Sequence, residues 1–167
     1  IGAHGPKLNE WYKRREGKAP LNFGVAVAHE FARAEVLDGF KEWKYYYTPD
    51  AGQTRLTKEG WSKTRPTLEQ GNQILALIDE GLRQGGLGIG STVGYMREGV
   101  SAREIFELQK LSGLYGRFID MHFRYTPGDD TGEINGIQEM LANAAALGTP
   151  AIAAHFNNPG YNMVHEL

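Results

Sequence analysis

The predicted fold is decided by LGIGSTV at residues 87–93, a helical pattern at 101–116, and FIDMHF at 118–123. The first and last of these segments are short apolar runs of the kind that form buried strands. The middle segment has apolar residues at helical spacing, and Ser101 with Glu104 forms a capping box at its start. A strand, a helix and a second strand in this order predict a βαβ unit with parallel strands.

The same alternation continues on both sides of this unit. Strands are predicted at 21–28 and 150–155, and helices at 30–37, 67–85 and 131–147. Two architectures fit an alternating pattern: an open doubly wound sheet and a barrel. A complete (β/α)₈ barrel needs about 250 residues, so four predicted strands correspond to half of one. Residues 40–66 are rich in aromatic and turn residues and are predicted to be a loop or insertion.

The composition of the chain limits the classes of function that it can have. The chain has 167 residues, 18 Lys and Arg against 20 Asp and Glu, and a net charge of −2. This balance argues against a nucleic-acid or membrane-surface binder, because both need a basic field. No apolar run approaches the ~18 residues of a membrane span. The absence of cysteine excludes disulfides and thiolate ligands, and we expect a cytoplasmic protein.

Histidines follow three of the predicted strands. His29, His122 and His155 each stand at the carboxyl end of a strand, which is the edge where parallel α/β folds build their sites. His122 and His155 are about one βα repeat apart, so on adjacent strands their rings could converge on zinc or a similar divalent ion. A catalytic zinc usually takes three protein ligands. The residues alone leave open that each histidine is an ordinary hydrogen-bonding side chain.

Polar residues two positions beyond these histidines are candidates for substrate contact. Arg124 shares a strand face with His122 and could bind a substrate carboxylate through paired hydrogen bonds. Its alternative role is a surface ion pair with an acidic residue of the following loop. Asn157 has the same relation to His155 and could hydrogen-bond an amide, or it could belong to the Asn-Asn-Pro-Gly turn that it begins.

Two hydroxyl groups lie in the strand predicted at 87–93 or just beyond it. Ser91 and Tyr95 share one strand parity and could offer hydrogen bonds to an oxyanion or a carboxylate, although Tyr95 could equally pack at the rim. Ser91 does not stand in a nucleophile elbow, because Ile89 and Val93 occupy the positions where that motif has glycine.

Four segments carry a resemblance to a known family and stand in that family's order: residues 87–95, 101–116, MHFR at 121–124, and AAHFN at 153–157. They resemble the D-aminoacylase (N-acyl-D-amino-acid deacylase) branch of the amidohydrolase superfamily. Residues 21–37, with His29 after the strand, are similar to the third barrel strand of that family. The resemblance implies that residues 1–167 are part of a metal-dependent (β/α)₈ catalytic barrel, covering about strands three to six.

The resemblance also implies an activity and a metal site. The family hydrolyses the amide of N-acyl-D-amino acids with a metal-bound hydroxide, on one or two divalent ions, and we expect zinc. His122 and His155 match the metal-ligand histidines at the ends of strands five and six. Arg124 matches the arginine of the family's His-x-Arg, and Tyr95 matches a tyrosine that contacts substrate. The predicted substrate site consists of Arg124, Tyr95, Asn157, Ser91 and His29.

The departures from the family pattern limit what the chain could do by itself. The His-x-His of strand one, the Cys or Glu ligand, and the general acid/base aspartate of strand eight have no counterpart in the sequence. We therefore expect a piece of a longer protein, inactive alone, whose partners are the remainder of the barrel and an acylated small molecule. Asn157 stands where the family often has lysine, which leaves the substrate open.

Other functions remain open at this point. A non-catalytic α/β domain that binds a small ligand at its strand ends is the main alternative. A metal-independent lyase is weaker, because it needs a strand-end lysine, and none of the predicted strand ends has one. The sequence does not decide whether copies associate as a homo-oligomer.

Overall fold

A computed structural model describes residues 3–41, 58–124 and 136–154, and Ala3 and His4 by their backbone only. The described strands are β1 Ala3–His4, β2 Ala26–Ala28, β3 Gly88–Ser91, β4 Phe118–Met121 and β5 Ala151–Ala153. The helices are α1 Leu8–Lys13, α2 His29–Asp38, α3 Gly60–Lys63, α4 Leu68–Arg83, α5 Ala102–Leu114 and α6 Gly136–Leu147, with a 3₁₀ turn at Val93–Tyr95.

The strand order decides between the two predicted architectures. The five described strands are all parallel and lie in chain order, β1-β2-β3-β4-β5. A doubly wound sheet reverses its strand order to place helices on both faces. Right-handed crossovers that always step to the next strand keep the helices on one face, as in a barrel. The prediction of part of a (β/α)₈ barrel is therefore confirmed.

The core lies between this sheet and the helices. Val27, Ile89, Ile119 and Met121 point from the strands into one cluster with the apolar faces of α4, α5 and α6. Because side chains alternate along a strand, the residues between them face the other side of the sheet. There the register aligns four residues in one row: Ala28, Gly90, Asp120 and Ile152.

Several local predictions need correction. The expected strand at 21–28 shrinks to Ala26–Ala28, and Leu21 is 79% exposed before it. Neither β1 nor α1 was expected, because a two-residue strand and a six-residue helix carry too little periodicity to detect. The segment at 40–66 is not all loop, since α3 lies within it and packs against α2. Residues 42–57 of that segment lie outside the described residues.

The two capping boxes differ in outcome. At α4, where Thr67 and Gln70 have the same spacing as Ser101 and Glu104, both reciprocal hydrogen bonds of the box form. At α5, the Ser101 hydroxyl accepts from the Glu104 N–H at 3.1 Å, but the Glu104 carboxylate turns toward α2. Only one of the two reciprocal hydrogen bonds of the second box therefore forms. The Glu104 carboxylate contacts His29 and Arg33 instead. In the described ranges, no helix combines the length and apolar character needed to cross a membrane.

Candidate functional site

A cavity of about 370 Å³ opens at the carboxyl edge of the sheet. Three of the predicted site residues, Ser91, Tyr95 and His122, line it. The other side chains that matter at this cavity were not predicted: Glu30, Thr92 and Asp120. Residues that are far apart in sequence therefore meet at the edge where the strand-end pattern places a site.

His122 is held in place by its neighbours on both sides. Its N–H donates to the Ser91 carbonyl at 2.9 Å, and its carbonyl accepts from the Gly94 N–H at 3.1 Å. The imidazole packs edge-on against Tyr95 with ring centroids 4.9 Å apart. A Cβ at Gly94 would lie 2.7–2.8 Å from the imidazole atoms, so this ring position requires glycine there. The ring orientation at the cavity is therefore set by packing.

Tyr95 lies at the rim and not on the strand. It belongs to the 3₁₀ turn at Val93–Tyr95, and 67% of the residue is exposed. Tyr95 was expected to lie on the same side of a strand as Ser91. This expectation is wrong, because β3 ends at Ser91. Its position beside the His122 ring still places the side chain at the cavity entrance.

The second predicted metal ligand cannot be placed. His155 and Asn157 lie outside the described residues, and the preceding Ala154 donates its N–H to the Met121 carbonyl at 3.0 Å. Within the described ranges, no three His, Cys, Asp or Glu side chains group closely enough to hold a metal ion. The imidazole and carboxyl groups at the cavity are donor types that suit a zinc-like ion. The metal pair of His122 and His155 stays a prediction.

His29 follows β2 directly, as predicted, but it is fully buried. Its Nδ1 lies 2.8 Å from Ser91 Oγ, and its Nε2 lies 2.8 Å from Glu104 Oε1. Burial lowers the pKa of His29, against the opposing effect of Glu104, so the ring is neutral at pH 7. The structure therefore places His29 behind Ser91 and not among the residues that line the cavity.

Arg33 completes this buried cluster. Its Nη1 donates to both Glu104 oxygens at 2.6 and 2.8 Å. Its Nε and Nη2 donate to the carbonyls of Trp61 and Thr64 at 2.6 and 2.7 Å. Burial acts to raise the pKa of Glu104, but the hydrogen bonds from His29 and Arg33 and the charge of Arg33 outweigh it, so the pKa is lowered. Glu104 is therefore ionised and neutralised by Arg33.

The sequence contained a weak signal for this cluster. Arg33 follows His29 by four positions on one helix, which places both on the same face. Glu104 was interpreted as a capping residue, because the Ser-x-x-Glu pattern does not show where the carboxylate turns. Only the packing of α5 against β3 and α2 brings the three side chains together.

Arg124 is engaged by protein groups. Its Nε lies 3.2 Å from Glu139 Oε2, and its Nη1 donates to the carbonyls of Arg97 and Val100 at 2.8 and 2.6 Å. Among the described residues the acidic partner of the guanidinium is Glu139 of α6, and the acids of the loop after β4 lie outside those residues. Arg124 is not among the residues that line the cavity, and its contact with a substrate carboxylate stays a prediction.

Glu30 is a cavity residue whose acidity is strongly perturbed. Burial raises the pKa of its carboxyl to about 7, although its own backbone N–H and the Thr92 hydroxyl act in the opposite direction. Its Oε2 is buried and has no hydrogen-bond partner among the described residues. A carboxyl with these properties in a cleft is a candidate for a functional group. The sequence signal was its place directly after the strand-end His29.

Sequence comparison finds no relative. The chain matches no protein-family model, and no curated protein matches it.

Solved structures are similar in fold. A D-aminoacylase described as defining a novel subset of amidohydrolases has a TM-score of 0.65 at 18% identity, over 95% of this chain. A D-aminoacylase described by the functional role of its binuclear metal centre has a TM-score of 0.63 at 17% identity, also over 95%. A D-aminoacylase mutant in complex with copper chloride has a TM-score of 0.61 at 18% identity, over 87%.

These similarities cover one part of the larger proteins. The chain spans 26% to 29% of the length of the three solved D-aminoacylase chains. At this level of identity the comparison establishes the fold. The predicted fold of the D-aminoacylases is thus confirmed, and the chain corresponds to a portion of their barrel.

Proposed function

We propose that the protein containing this chain is a metal-dependent amidohydrolase that cleaves the amide bond of N-acyl-D-amino acids or related amides. The observation that carries the proposal is the His122 ring, which Gly94 and Tyr95 hold at the cavity where β4 ends. Support also comes from the MHFR and AAHFN segments and from the fold shared with D-aminoacylases. Two of those solved structures are described with copper or a binuclear metal centre.

In this proposal His122 and His155 hold a divalent ion, and the remaining ligands come from the rest of the protein. A bound divalent ion would polarise the amide carbonyl and lower the pKa of a water molecule. Tyr95, at the cavity entrance beside His122, offers its hydroxyl to the substrate. Ser91 offers a second polar contact from the cavity wall.

Arg124 has better support as a structural residue. Its contacts join the segment after β4 to α6 and to the carbonyls before α5. Binding a substrate carboxylate would require the Glu139 pair to open, which leaves a buried carboxylate without its partner. Asn157 stays in the proposed substrate set through the resemblance alone.

The proposal is tested by metal analysis of the full-length protein. We expect at least about one equivalent of divalent metal, hydrolysis of N-acetyl-D-amino acids, and loss of that activity after chelation. His122→Ala should lose metal and turnover while keeping the far-UV circular dichroism of the parent. Asn72→Ala, at an exposed position of α4, is the matched control and should behave as the parent.

Two results would contradict the proposal. One is less than one equivalent of metal with hydrolysis that chelators do not change. The other is a His122→Ala variant that binds the same small ligands as the parent, while neither protein hydrolyses an amide. The second result would favour the non-catalytic binding domain that the sequence left open.

A further inference from the structure

We propose that Arg124 is a positioning residue that acts through the rim loop, which consists of residues 92–100 between β3 and α5. The rim loop carries Tyr95 against the edge of the His122 ring, and Arg124 fixes the loop in that position. The inference rests on the proposed function, in which His122 binds the metal. It gives Arg124 a role in the reaction that needs no contact with the substrate.

The Arg124 guanidinium bonds to the second half of the rim loop. Its Nη1 donates to the carbonyls of Arg97 and Val100 at 2.8 and 2.6 Å, so one nitrogen joins two carbonyls of the loop to the segment that follows β4. The loop is also seated in the core by Val93 and Met96, which are fully buried. Loss of the guanidinium should therefore shift the loop and not detach it.

The first half of the rim loop contacts His122. The Gly94 N–H donates to the His122 carbonyl at 3.1 Å, and the Tyr95 ring packs edge-on against the imidazole with centroids 4.9 Å apart. Because 67% of Tyr95 is exposed, its position depends chiefly on the backbone that carries it. That backbone is bonded to Gly94's partner before the tyrosine and to Arg124 after it, so both anchors belong to the segment that ends β4.

Glu139 of α6 holds the guanidinium in this orientation. Nε and Nη2 of Arg124 lie 3.2 and 3.4 Å from the two Glu139 carboxylate oxygens, and both side chains are nearly buried. All three guanidinium nitrogens are thus engaged by protein groups. A paired contact with a substrate carboxylate would have to break one of these sets of hydrogen bonds, whereas a positioning role uses all of them as they stand.

The first test separates the two roles by the charge of the substrate, on the full-length protein. A residue that binds the substrate carboxylate favours N-acetyl-D-leucine over the uncharged N-acetyl-D-leucinamide, whereas a positioning residue serves both alike. We expect Arg124→Met to lower kcat/KM for both by roughly 10- to 100-fold, mainly through kcat, and to leave their ratio unchanged. Loss of the preference for N-acetyl-D-leucine in this variant would overturn the inference.

A double variant separates position from stability. Arg124→Met leaves the Glu139 carboxylate buried without its counter-charge, so the melting temperature should fall. Arg124→Met, Glu139→Met removes the isolated charge and should recover most of the melting temperature. It should not recover kcat, because the carbonyls of the rim loop still lack their donor. Recovery of kcat together with stability would show that Arg124 acts on stability alone, which would contradict the inference.

Arg117 provides the matched control, because it precedes β4 as Arg124 follows it. It also donates to two backbone carbonyls, those of Leu82 and Gly86, at the opposite end of the sheet. Arg117→Met should lower the melting temperature and leave kcat as in the parent. A loss of kcat equal to that of Arg124→Met would mean that turnover follows stability and not the position of the rim loop.

The position of the His122 ring can also be followed without any reaction. In protein labelled with ¹³C at histidine, His122→Ala assigns the His122 signals, and Tyr95→Leu gives the shift caused by loss of the tyrosine ring. Arg124→Met should shift these signals in the same direction, whereas Arg117→Met should not. This result supports the inference even if no N-acyl amino acid is hydrolysed, which would refute the proposed function alone. Unchanged His122 signals in Arg124→Met would overturn the inference.

Discussion

Two adjacent residues at the start of α2 enter two different environments. His29 points into a buried cluster in which both of its nitrogens, the Glu104 carboxylate and the Arg33 guanidinium have partners. Glu30 points to the cavity and keeps one oxygen without a partner among the described residues. We call His29, Arg33 and Glu104 the saturated cluster, because their polar groups have hydrogen-bond partners. This cluster joins α2, β3 and α5 and acts as a scaffold. The Glu30 carboxyl, with its unpaired Oε2, marks the surface where a ligand completes the hydrogen bonding.

The largest expected effect comes from breaking the saturated cluster. Arg33→Met leaves the Glu104 carboxylate buried without its counter-charge, and we expect the free energy of unfolding to fall by about 3–5 kcal/mol. Chemical denaturation of the full-length protein measures this change. The double variant Arg33→Met, Glu104→Met should recover most of the loss, because no isolated charge remains.

A surface pair provides the control for that prediction. Lys63→Met removes an ion pair with Glu59 that is exposed on both sides, and it should have no measurable effect. If Arg33→Met were as well tolerated as Lys63→Met, the cluster would not be the scaffold described above.

The next effect is a pH dependence that arises from Glu30. The folded protein raises its pKa from 4.5 to about 7, so the folded state holds this proton more tightly than the unfolded chain does. The stabilisation is complete below pH 4.5 and is lost as the pH rises through 7, by at most about 3 kcal/mol. Glu30→Gln cannot titrate, so it should lack this slope and be the more stable protein at pH 8.

Other groups near Glu30 define the control. His29 has a lowered pKa, so its contribution to stability is lost as the pH falls and runs in the opposite direction. Asp120, His122 and Tyr95 line the same cavity and are retained in every variant compared. Asn72→Ala, which changes no titratable group, should keep the parent slope between pH 4.5 and pH 7. An unchanged slope in Glu30→Gln would assign the dependence to another group.

The smallest effect concerns the position of the His122 ring. Gly94→Ala places a methyl group 2.7–2.8 Å from that ring and 2.8 Å from the Phe123 carbonyl oxygen, so the ring has to move. We expect a loss of stability of about 1–3 kcal/mol from overpacking and metal binding weakened roughly 10- to 100-fold. Gly71→Ala is the control, because a Cβ at that α4 position meets nothing within 4 Å. If Gly94→Ala bound metal as tightly as the parent, the position of the His122 ring would not matter for metal binding, which would contradict the proposed metal site.

Much of the candidate site was predictable because strand ends are local features. An apolar run followed by a polar residue placed His122 correctly at the edge of the sheet. Ser91 was expected inside a strand that runs to Val93, but the strand ends at Ser91. The same pattern did not show that His29 is shielded from the cavity or that Glu30 lines it, since neighbouring positions at the start of a helix diverge in direction. It also did not show that Arg124 pairs with Glu139, because that contact depends on where α6 packs.

The sequence by itself determined the alternation of strands and helices, the full cap of α4 and the polar ends of the strands. Each of these depends on periodicity or on a few neighbouring residues. The tertiary structure decided the strand order, which selects the barrel, and the contacts between residues 62 and 75 positions apart that join His29 to Ser91 and Glu104. It also decided which buried charges are paired, because desolvation and pairing depend on neighbours that only the folded chain brings together.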